Sequence, residues 1–251
     1  APICSPSRGA IFTGQYPARS KYTAVIRAYV ESDSSLQKES KPLSGNVQHL
    51  EGLHRHALPL NIPTIAEMLS DSDYHTGFLG KWHCGWNETH WPDKRGWDVA
   101  ECFRTLPTGT KGHFGRDFLP AKCKGMDDLQ EDDYMTDVLT DRAVEFIERA
   151  TEKDSPFFLT LCHYAVHLPL SAPESLIEKY RELPTTDQHN PVYAAMIEKV
   201  DDSVGRINQV LKELGVEENT MVIFTSDNGG MSPNVTSNFP LLGGKSYCYE
   251  A

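Results

Sequence analysis

Three short apolar runs, each followed by a polar cluster, restrict the fold of this 251-residue chain more than any other feature. The runs are 76–80 (TGFLG), 157–162 (FFLTLC) and 220–225 (TMVIFT), and their length is typical of buried strands. Helical patterns alternate with them. We therefore predict an α/β domain with a mostly parallel sheet, in which ligands bind at the carboxyl ends of the strands.

The helical segments differ in how clearly the sequence marks them. Residues 4–14 suggest a loop entering a helix, with Ser5 as the N-cap, and 63–69 suggest a short helix. Residues 136–150 and 192–214 carry apolar side chains three and four positions apart, which predicts two longer amphipathic helices. Residues 31–61 and 85–130 lack such periodicity and are predicted to be rich in loops.

The charge balance limits the possible partners. The chain has 24 Lys and Arg against 35 Asp and Glu, a net charge of −11, which argues against a nucleic-acid-binding protein. A local cationic pocket can still bind an anionic substrate on an acidic protein. No apolar run reaches the ~18 residues of a membrane span. The six cysteines include no C-x-x-C pair, so neither a zinc ribbon nor a thioredoxin-type site is expected.

Two of the polar clusters place a cation beside a group that can attack or carry a proton. Cys4 stands at the start of a predicted helix, where a thiol pKa is lowered, and Arg8 follows one turn later. Lys81 and His83 follow the first strand and project the same way in an extended segment. The ordinary structural explanations are a buried cysteine near a helix cap and a surface lysine beside a packed tryptophan.

The other clusters offer metal ligands and further cations. His163 and His167 have the i, i+4 spacing of a helical metal pair, but the preceding strand and the following proline disfavour a helix there. His167 is the better functional candidate. Asp227 and Asn228 carry oxygens that suit calcium or magnesium, although an Asx turn explains the same pair. Lys245 adds a cation after two glycines.

Taken together, these motifs occur in a recognisable order. CSPSRGAIFTG fits the pattern C-x-P-S-R-x-x-x-x-T-G, GKWHCG fits G-K-W-H-x-G, and YPAR, AVHLP, SDNGG and GGK accompany them. The chain resembles the formylglycine-dependent sulfatases of the arylsulfatase and N-acetylgalactosamine-6-sulfatase type. The resemblance implies an alkaline-phosphatase-like α/β fold, with a mostly parallel central sheet flanked by helices. It also implies hydrolysis of sulfate esters, by family habit those of a sulfated carbohydrate.

The resemblance implies that a formylglycine-generating enzyme oxidises Cys4 to a Cα-formylglycine. The hydrated aldehyde attacks the sulfur of a sulfate ester, and loss of a proton from its second hydroxyl expels sulfate and restores the aldehyde. A serine would stop at a stable sulfate ester, because it has no second hydroxyl. By the same resemblance, Arg8 stabilises the hydrate, Lys81 neutralises its charge, and His83 accepts the proton that triggers sulfate release.

The remaining motif residues are implied to bind sulfate and a cation. His167 and Lys245 would hold the sulfate oxygens. The divalent cation, calcium by family habit with magnesium as the alternative, would be held by Asp227, Asn228 and the modified Cys4. The family has two more metal aspartates in an N-terminal strand and a smaller C-terminal subdomain, and neither is present in this sequence. Residues 1–251 are therefore expected to be a partial catalytic domain, truncated at both ends.

Several alternatives remain open. A phosphonate monoester or phosphodiester hydrolase of the same superfamily shares the cysteine motif, and a catalytically silent relative could bind sulfated glycans with Cys4 as a thiol. A zinc hydrolase using His163 and His167 lacks a third ligand at a suitable spacing. We expect substrate specificity to come from the loops 31–61 and 85–130. Five of their side chains could contact a sugar, and an ordinary place in the core or in a solvated loop explains each of them at least as well: Trp86, Trp91, Trp97, His90 and His113.

Family habit also implies a location in the secretory pathway, the lysosome or the periplasm. An oxidising compartment would permit disulfide bonds among five of the cysteines, namely Cys84, Cys102, Cys123, Cys162 and Cys248. Because five is an odd number, at least one of them would stay free.

Overall fold

The computed structural model of the chain describes residues 3–23, 55–104, 112–119, 123–153 and 155–249. Most of the predicted polar excursion at 31–61 lies outside the described residues. The α-helices of the described part are α1 (Cys4–Thr13), α2 (Pro17–Ser20), α3 (Ile65–Ser70), α4 (Met135–Thr151), α5 (Glu174–Arg181) and α6 (Pro191–Glu213). The strands are β1 (His75–Gly80), β2 (Val99–Glu101), β3 (Phe103–Arg104), β4 (Cys123–Lys124) and β5 (Phe157–Cys162).

The main sheet consists of three parallel strands in the order β2–β1–β5. Gly77 lies opposite Val99 on one side of β1, and Gly80 lies opposite Cys162 on the other. Two strands predicted from apolar runs, β1 and β5, are confirmed, whereas the short β2 has no distinct sequence signal. The strands β3 and β4 form a separate antiparallel pair. The parallel register brings the ends of β1 and β5 to one edge, where Lys81 follows β1.

Helices cover both faces of this sheet, as the α/β prediction requires. On one face, the ring of Phe78 packs 6.1 Å from Phe12 of α1 and 5.4 Å from Trp97, measured between centroids. On the other face, α4 packs against β1 and β5, and α6 packs against α4. Gly77 leaves room there for Phe146, since an added Cβ would lie 2.5 Å from its ring.

Helix α6 confirms the predicted long helix, but its buried side differs from the predicted stripe. It starts where the Asn190 side chain accepts a hydrogen bond from the Tyr193 amide at 3.1 Å. Ile197, which belonged to the predicted stripe, is 47% exposed, while Met196 is buried. Ser203 is buried as well, because its hydroxyl meets Thr140 of α4 at 2.7 Å. A stripe drawn from apolar residues alone omits such polar contacts.

The third predicted strand, 220–225, is wrong for this structure. The segment is irregular, and Met221, Ile223 and Phe224 are 84%, 76% and 73% exposed. A strand requires a neighbouring backbone to pair with, and no strand in the described ranges lies beside this one. The apolar side chains favour burial of this segment, but a strand also needs a neighbouring strand, and the described ranges provide none. We call residues 221–224 the exposed apolar strip.

Gly80 ends β1 in a conformation and a space that other residues do not tolerate. Its φ is +94°, and an added Cβ would lie 2.1 Å from the carbonyl oxygen of Cys162. We expect Gly80→Ala to destabilise the chain by about 3 kcal/mol or more. The backbones of Gly80 and Cys162 are paired in the sheet, so neither can move away from the clash. Gly205→Ala is the control. That glycine lies inside α6 with open space around it, so the change should stabilise by about 0.5–1 kcal/mol. Urea denaturation measures both, and equal midpoints would contradict the close approach at Gly80.

Two further predictions concern bonding and membranes. None of the six cysteines, all of which lie in the described ranges, forms a disulfide bond in this structure. Among the described helices, none has both the length and the apolar character of a membrane-spanning segment.

Candidate active site

The site is built around the thiol of Cys4, the first residue of α1. The helix begins one residue before the expected cap at Ser5, and Ile3 in the cap position makes no side-chain hydrogen bond. Cys4 is only 3% exposed. Its Sγ atom lies 3.4 Å from Oδ1 of Asn228 and 3.5 Å from Nζ of Lys81. Residues separated by 224 and 77 positions in the sequence thus meet at one sulfur atom.

The surroundings of Cys4 stabilise negative charge. Burial raises the pKa of the thiol, but hydrogen bonds from His167 and His83 and the charge of Lys81 outweigh burial and lower the pKa to about 4. The surroundings therefore favour the thiolate form of this side chain. The pKa of Lys81 is itself lowered, chiefly by burial. This pocket accommodates an anion at the position of the Cys4 side chain.

Arg8 connects three separate segments of the site. Its Nε donates to the carbonyl of Trp82 at 2.8 Å, and one terminal nitrogen donates to the carbonyl of Lys81. The other terminal nitrogen lies 3.7 Å from a carboxylate oxygen of Asp227. The guanidinium is buried, so these contacts are shielded from water. Arg8 thereby fixes the turn that presents the Lys81 side chain.

His83 reaches the site from a left-handed backbone conformation, with φ of +57°. Its carbonyl accepts a hydrogen bond from the hydroxyl of Tyr22 at 3.0 Å. The centroid of its ring lies 5.5 Å from that of Trp86. Such a conformation is uncommon for a residue other than glycine, and it turns the side chain out of the line of β1. Tyr22 was not predicted from the sequence, because a hydroxyl that donates to a backbone carbonyl belongs to no motif.

The two histidines after β5 have different environments, as the sequence suggested. His167 is exposed, and its Nδ1 lies 2.7 Å from the carbonyl oxygen of Leu168. That nitrogen must carry a proton, because a carbonyl only accepts, so Nε2 can donate to an anion only when the ring is the imidazolium, with a proton on both nitrogens. His163 instead lies 3.0 Å from the Ser203 hydroxyl of α6. Burial lowers its pKa to about 4, so the His163 ring is neutral.

The zinc interpretation finds no support in the described ranges. They contain no group of three or more His, Cys, Asp or Glu side chains that could hold a metal ion. The Nε2 atom of His163 instead contacts the hydroxyl of Ser203 in α6. The His163–His167 pair is thus divided between a structural and a candidate functional role.

The loops that carry Asp227 and Lys245 are joined by Asn238. Its Oδ1 accepts from the Gly230 amide at 3.2 Å, and its Nδ2 donates to the Gly243 carbonyl at 2.9 Å. The Lys245 amide also donates to the Gly230 carbonyl, at 2.9 Å. The charge of Lys245 contributes to the lowered pKa of Lys81, after burial and Arg8, so its ammonium group lies near the site. No sequence motif distinguished Asn238.

The aromatic and imidazole candidates for sugar contacts separate into two groups. Trp97, His90 and His113 are 1%, 6% and 1% exposed. Of the two explanations left open by the sequence, ordinary packing therefore holds for these three side chains. Trp86 and Trp91 are half-buried at the edge of that core. They remain candidates for the wall of the pocket.

The fold and site define an α/β domain whose parallel sheet, flanked by helices, supports a cationic pocket around a buried cysteine. A protein-family model described as Sulfatase matches residues 1–251. The chain belongs to the Sulfatase family.

Comparisons with individual proteins agree with this family. The chain is 29% identical to arylsulfatase J of Mus musculus over 99% of its length, covering 39% of that protein. It is 30% identical to N-acetylgalactosamine-6-sulfatase of Mus musculus, again over 99% of its length, covering 46% of that protein. The crystal structure of Ps i-CgsB in complex with k-i-k-neocarrahexaose superposes with a TM-score of 0.75 at 29% identity, covering 99% of this chain and 53% of that one. The chain thus spans about half or less of the length of these relatives.

Proposed function

We propose that the complete protein hydrolyses sulfate esters of a carbohydrate. The observation that carries the proposal is the convergence on the Cys4 sulfur of the Lys81 ammonium and the imidazoles of His83 and His167. Such a pocket suits an anionic nucleophile and an anionic substrate together. Two relatives support the sugar: one is an N-acetylgalactosamine-6-sulfatase, and the other holds k-i-k-neocarrahexaose.

The proposal includes maturation of Cys4 to formylglycine by a formylglycine-generating enzyme, in the secretory pathway, the lysosome or the periplasm. As a hydrate, an aldehyde at this position supplies one hydroxyl for attack and another for the release of sulfate. The side chains that lower the thiol pKa would equally stabilise an oxyanion there. Lys81 then neutralises the developing charge, and His83 accepts the proton. His167 and Lys245 bind the sulfate oxygens.

The chemistry of the available ligands fits a hard divalent cation, calcium or magnesium. Asp227 and Asn228 offer a carboxylate and an amide oxygen, and Asn228 lies 3.4 Å from the atom of Cys4 that maturation replaces by oxygen. Calcium takes six to eight oxygen ligands, so these residues supply only part of the site. When bound, the cation supplies Lewis-acid polarisation of a sulfate oxygen.

We propose that the missing carboxylates are the two aspartates of a strand outside residues 1–251. The exposed apolar strip supports this, because Met221, Ile223 and Phe224 lie just before Asp227 and are uncovered. A strand paired along 221–224 would bury these side chains and end beside the cation ligands. The same pairing would complete the sheet that the sequence predicted at 220–225.

The proposed activity is tested by the turnover of a full-length protein coexpressed with a formylglycine-generating enzyme. A 4-nitrophenyl sulfate ester, a sulfated galactosamine and a bis(4-nitrophenyl) phosphodiester are compared at equal concentrations. We expect kcat/KM for the sulfate esters to exceed that for the phosphodiester by about 100-fold or more. The matched background is Cys4→Ala from the same expression.

The alternatives predict different results. Faster turnover of the phosphodiester would favour a phosphodiesterase of the same superfamily. Binding of the sulfated sugar without turnover, together with an unmodified Cys4 thiol in the tryptic mass spectrum, would favour a silent glycan-binding relative. Either result would refute the proposed activity.

A further inference from the structure

The loop that carries His167 is fastened at two points. Residues 163–171 form neither helix nor strand. Nε2 of His113 lies 2.7 Å from the carbonyl oxygen of His167. Farther along the loop, the Ser171 hydroxyl accepts from the His113 amide at 2.9 Å, and the Ser171 carbonyl accepts from the Tyr134 hydroxyl at 3.2 Å. The loop is therefore held by His113 and Tyr134.

His113 is itself held by a rigid element. Its side chain is buried, and its carbonyl accepts a hydrogen bond at 2.9 Å from the amide of Met135, the first residue of α4. The next residue, Phe114, pairs with Tyr134 in an isolated antiparallel bridge. Since α4 packs against the central sheet, His113 transmits the position of the sheet to the His167 loop.

The direction of the His113 bond follows from its chemistry. A carbonyl oxygen can only accept, so Nε2 of His113 carries the proton. Burial lowers the pKa of His113, so the ring is neutral and Nδ1 has no proton. Nδ1 is buried without a hydrogen-bond partner in the described structure, which costs stability. Among the described residues, the contact with the His167 carbonyl is thus the one hydrogen bond that the His113 ring makes.

We propose that His113 is a positioning residue that sets where the His167 imidazole meets the substrate sulfate. It acts by fixing the backbone of His167, and it does not touch the substrate, because it is 1% exposed. The consequence for catalysis rests on the proposed sulfatase activity. The restraint on the loop does not rest on it.

Two polar substitutions separate this role from packing. The Gln side-chain nitrogen reaches as far as the Nε2 of histidine, whereas the Asn nitrogen stops near the position of Nδ1. In the complete matured enzyme, we expect His113→Gln to keep kcat/KM for a sulfate ester within about threefold, and His113→Asn to lower it about 100-fold. His113→Leu, which has no donor, is the second loss variant if the Asn protein does not fold.

A double-mutant cycle tests whether the effect passes through His167. If it does, His113→Asn lowers kcat/KM less than about twofold in a His167→Ala background. The proposal would be overturned if the losses from His113→Asn and His167→Ala multiply in the double variant. Equal activities for the Gln and Asn variants would also overturn it.

Hydrogen exchange tests the restraint independently of turnover, on the chain 1–251 itself. We expect the peptide covering 163–171 to exchange about tenfold faster in His113→Asn than in the wild type or His113→Gln. Unchanged exchange would overturn the restraint. If the wild type restrains the loop but does not turn over sulfate esters, the proposed activity has failed and the positioning contact has not.

Discussion

Cys4→Ser in the complete enzyme is expected to abolish turnover and to leave the protein covalently sulfated. A serine hydroxyl occupies the position of the Cys4 sulfur, beside Lys81 and Asn228, and can still attack the sulfate ester. It has no second hydroxyl with which to expel sulfate, so the ester persists. Steady-state kcat should fall by about 10⁴-fold or more. Intact mass after incubation with substrate should rise by one SO₃ unit.

Cys4→Ala is the matched control for this experiment. It should lose as much activity and gain no mass, because it has no hydroxyl. A serine variant that turns over substrate at the wild-type rate would contradict formylglycine chemistry. It would also remove the reason for assigning Cys4 the role of nucleophile.

Arg8→Leu is expected to have the largest effect on stability. The substitution leaves the carbonyls of Lys81 and Trp82 buried without donors and removes the cation beside Asp227. Unpaired buried groups of this kind lead us to expect a loss of about 3–5 kcal/mol in the free energy of unfolding. Activity in the complete enzyme should fall by about 10³-fold, since the turn carrying Lys81 is released.

Two other substitutions calibrate that loss. Arg8→Lys keeps the charge but cannot span two carbonyls and a carboxylate, so it should recover only part of the stability. Arg116→Leu removes an exposed ion pair with Asp132, 2.7 Å long, and should change stability by only about 0.5 kcal/mol. Urea denaturation of the chain measures all three variants. Arg8→Leu as stable as Arg116→Leu would show that the buried contacts contribute little.

The sequence predicted the parts of the fold that depend on local periodicity. The apolar runs of β1 and β5 and the stripes of α4 and α6 each carry a signal that survives in the structure. The strand-end rule also anticipated that Lys81 would reach a common site. The short strands β2 to β4 were missed, because two or three residues contain too little pattern. The run 220–225 misled for the opposite reason, since its pattern is strong and its pairing partner is absent from the described residues.

The contacts of the site that could not be predicted from the sequence are of one kind. Arg8 and Tyr22 reach the backbone carbonyls of Trp82 and His83, and His113 reaches that of His167. Every residue has a carbonyl, so the acceptor leaves no trace in the sequence. Only the fold shows which carbonyls come within reach. The motif residues, in contrast, contact one another through side chains, and their chemistry can be recognised before the fold is known.

The burial of Cys4 has a consequence for the timing of biosynthesis. With 3% of its surface exposed and its sulfur among Lys81 and Asn228, the folded site offers no room for another enzyme's catalytic groups. Those contacts join segments 77 and 224 residues apart, and contacts so distant in sequence form late in folding. The oxidation we propose at Cys4 therefore competes with chain collapse. On that proposal, we expect slower folding to increase the fraction of chains that carry the oxidised residue.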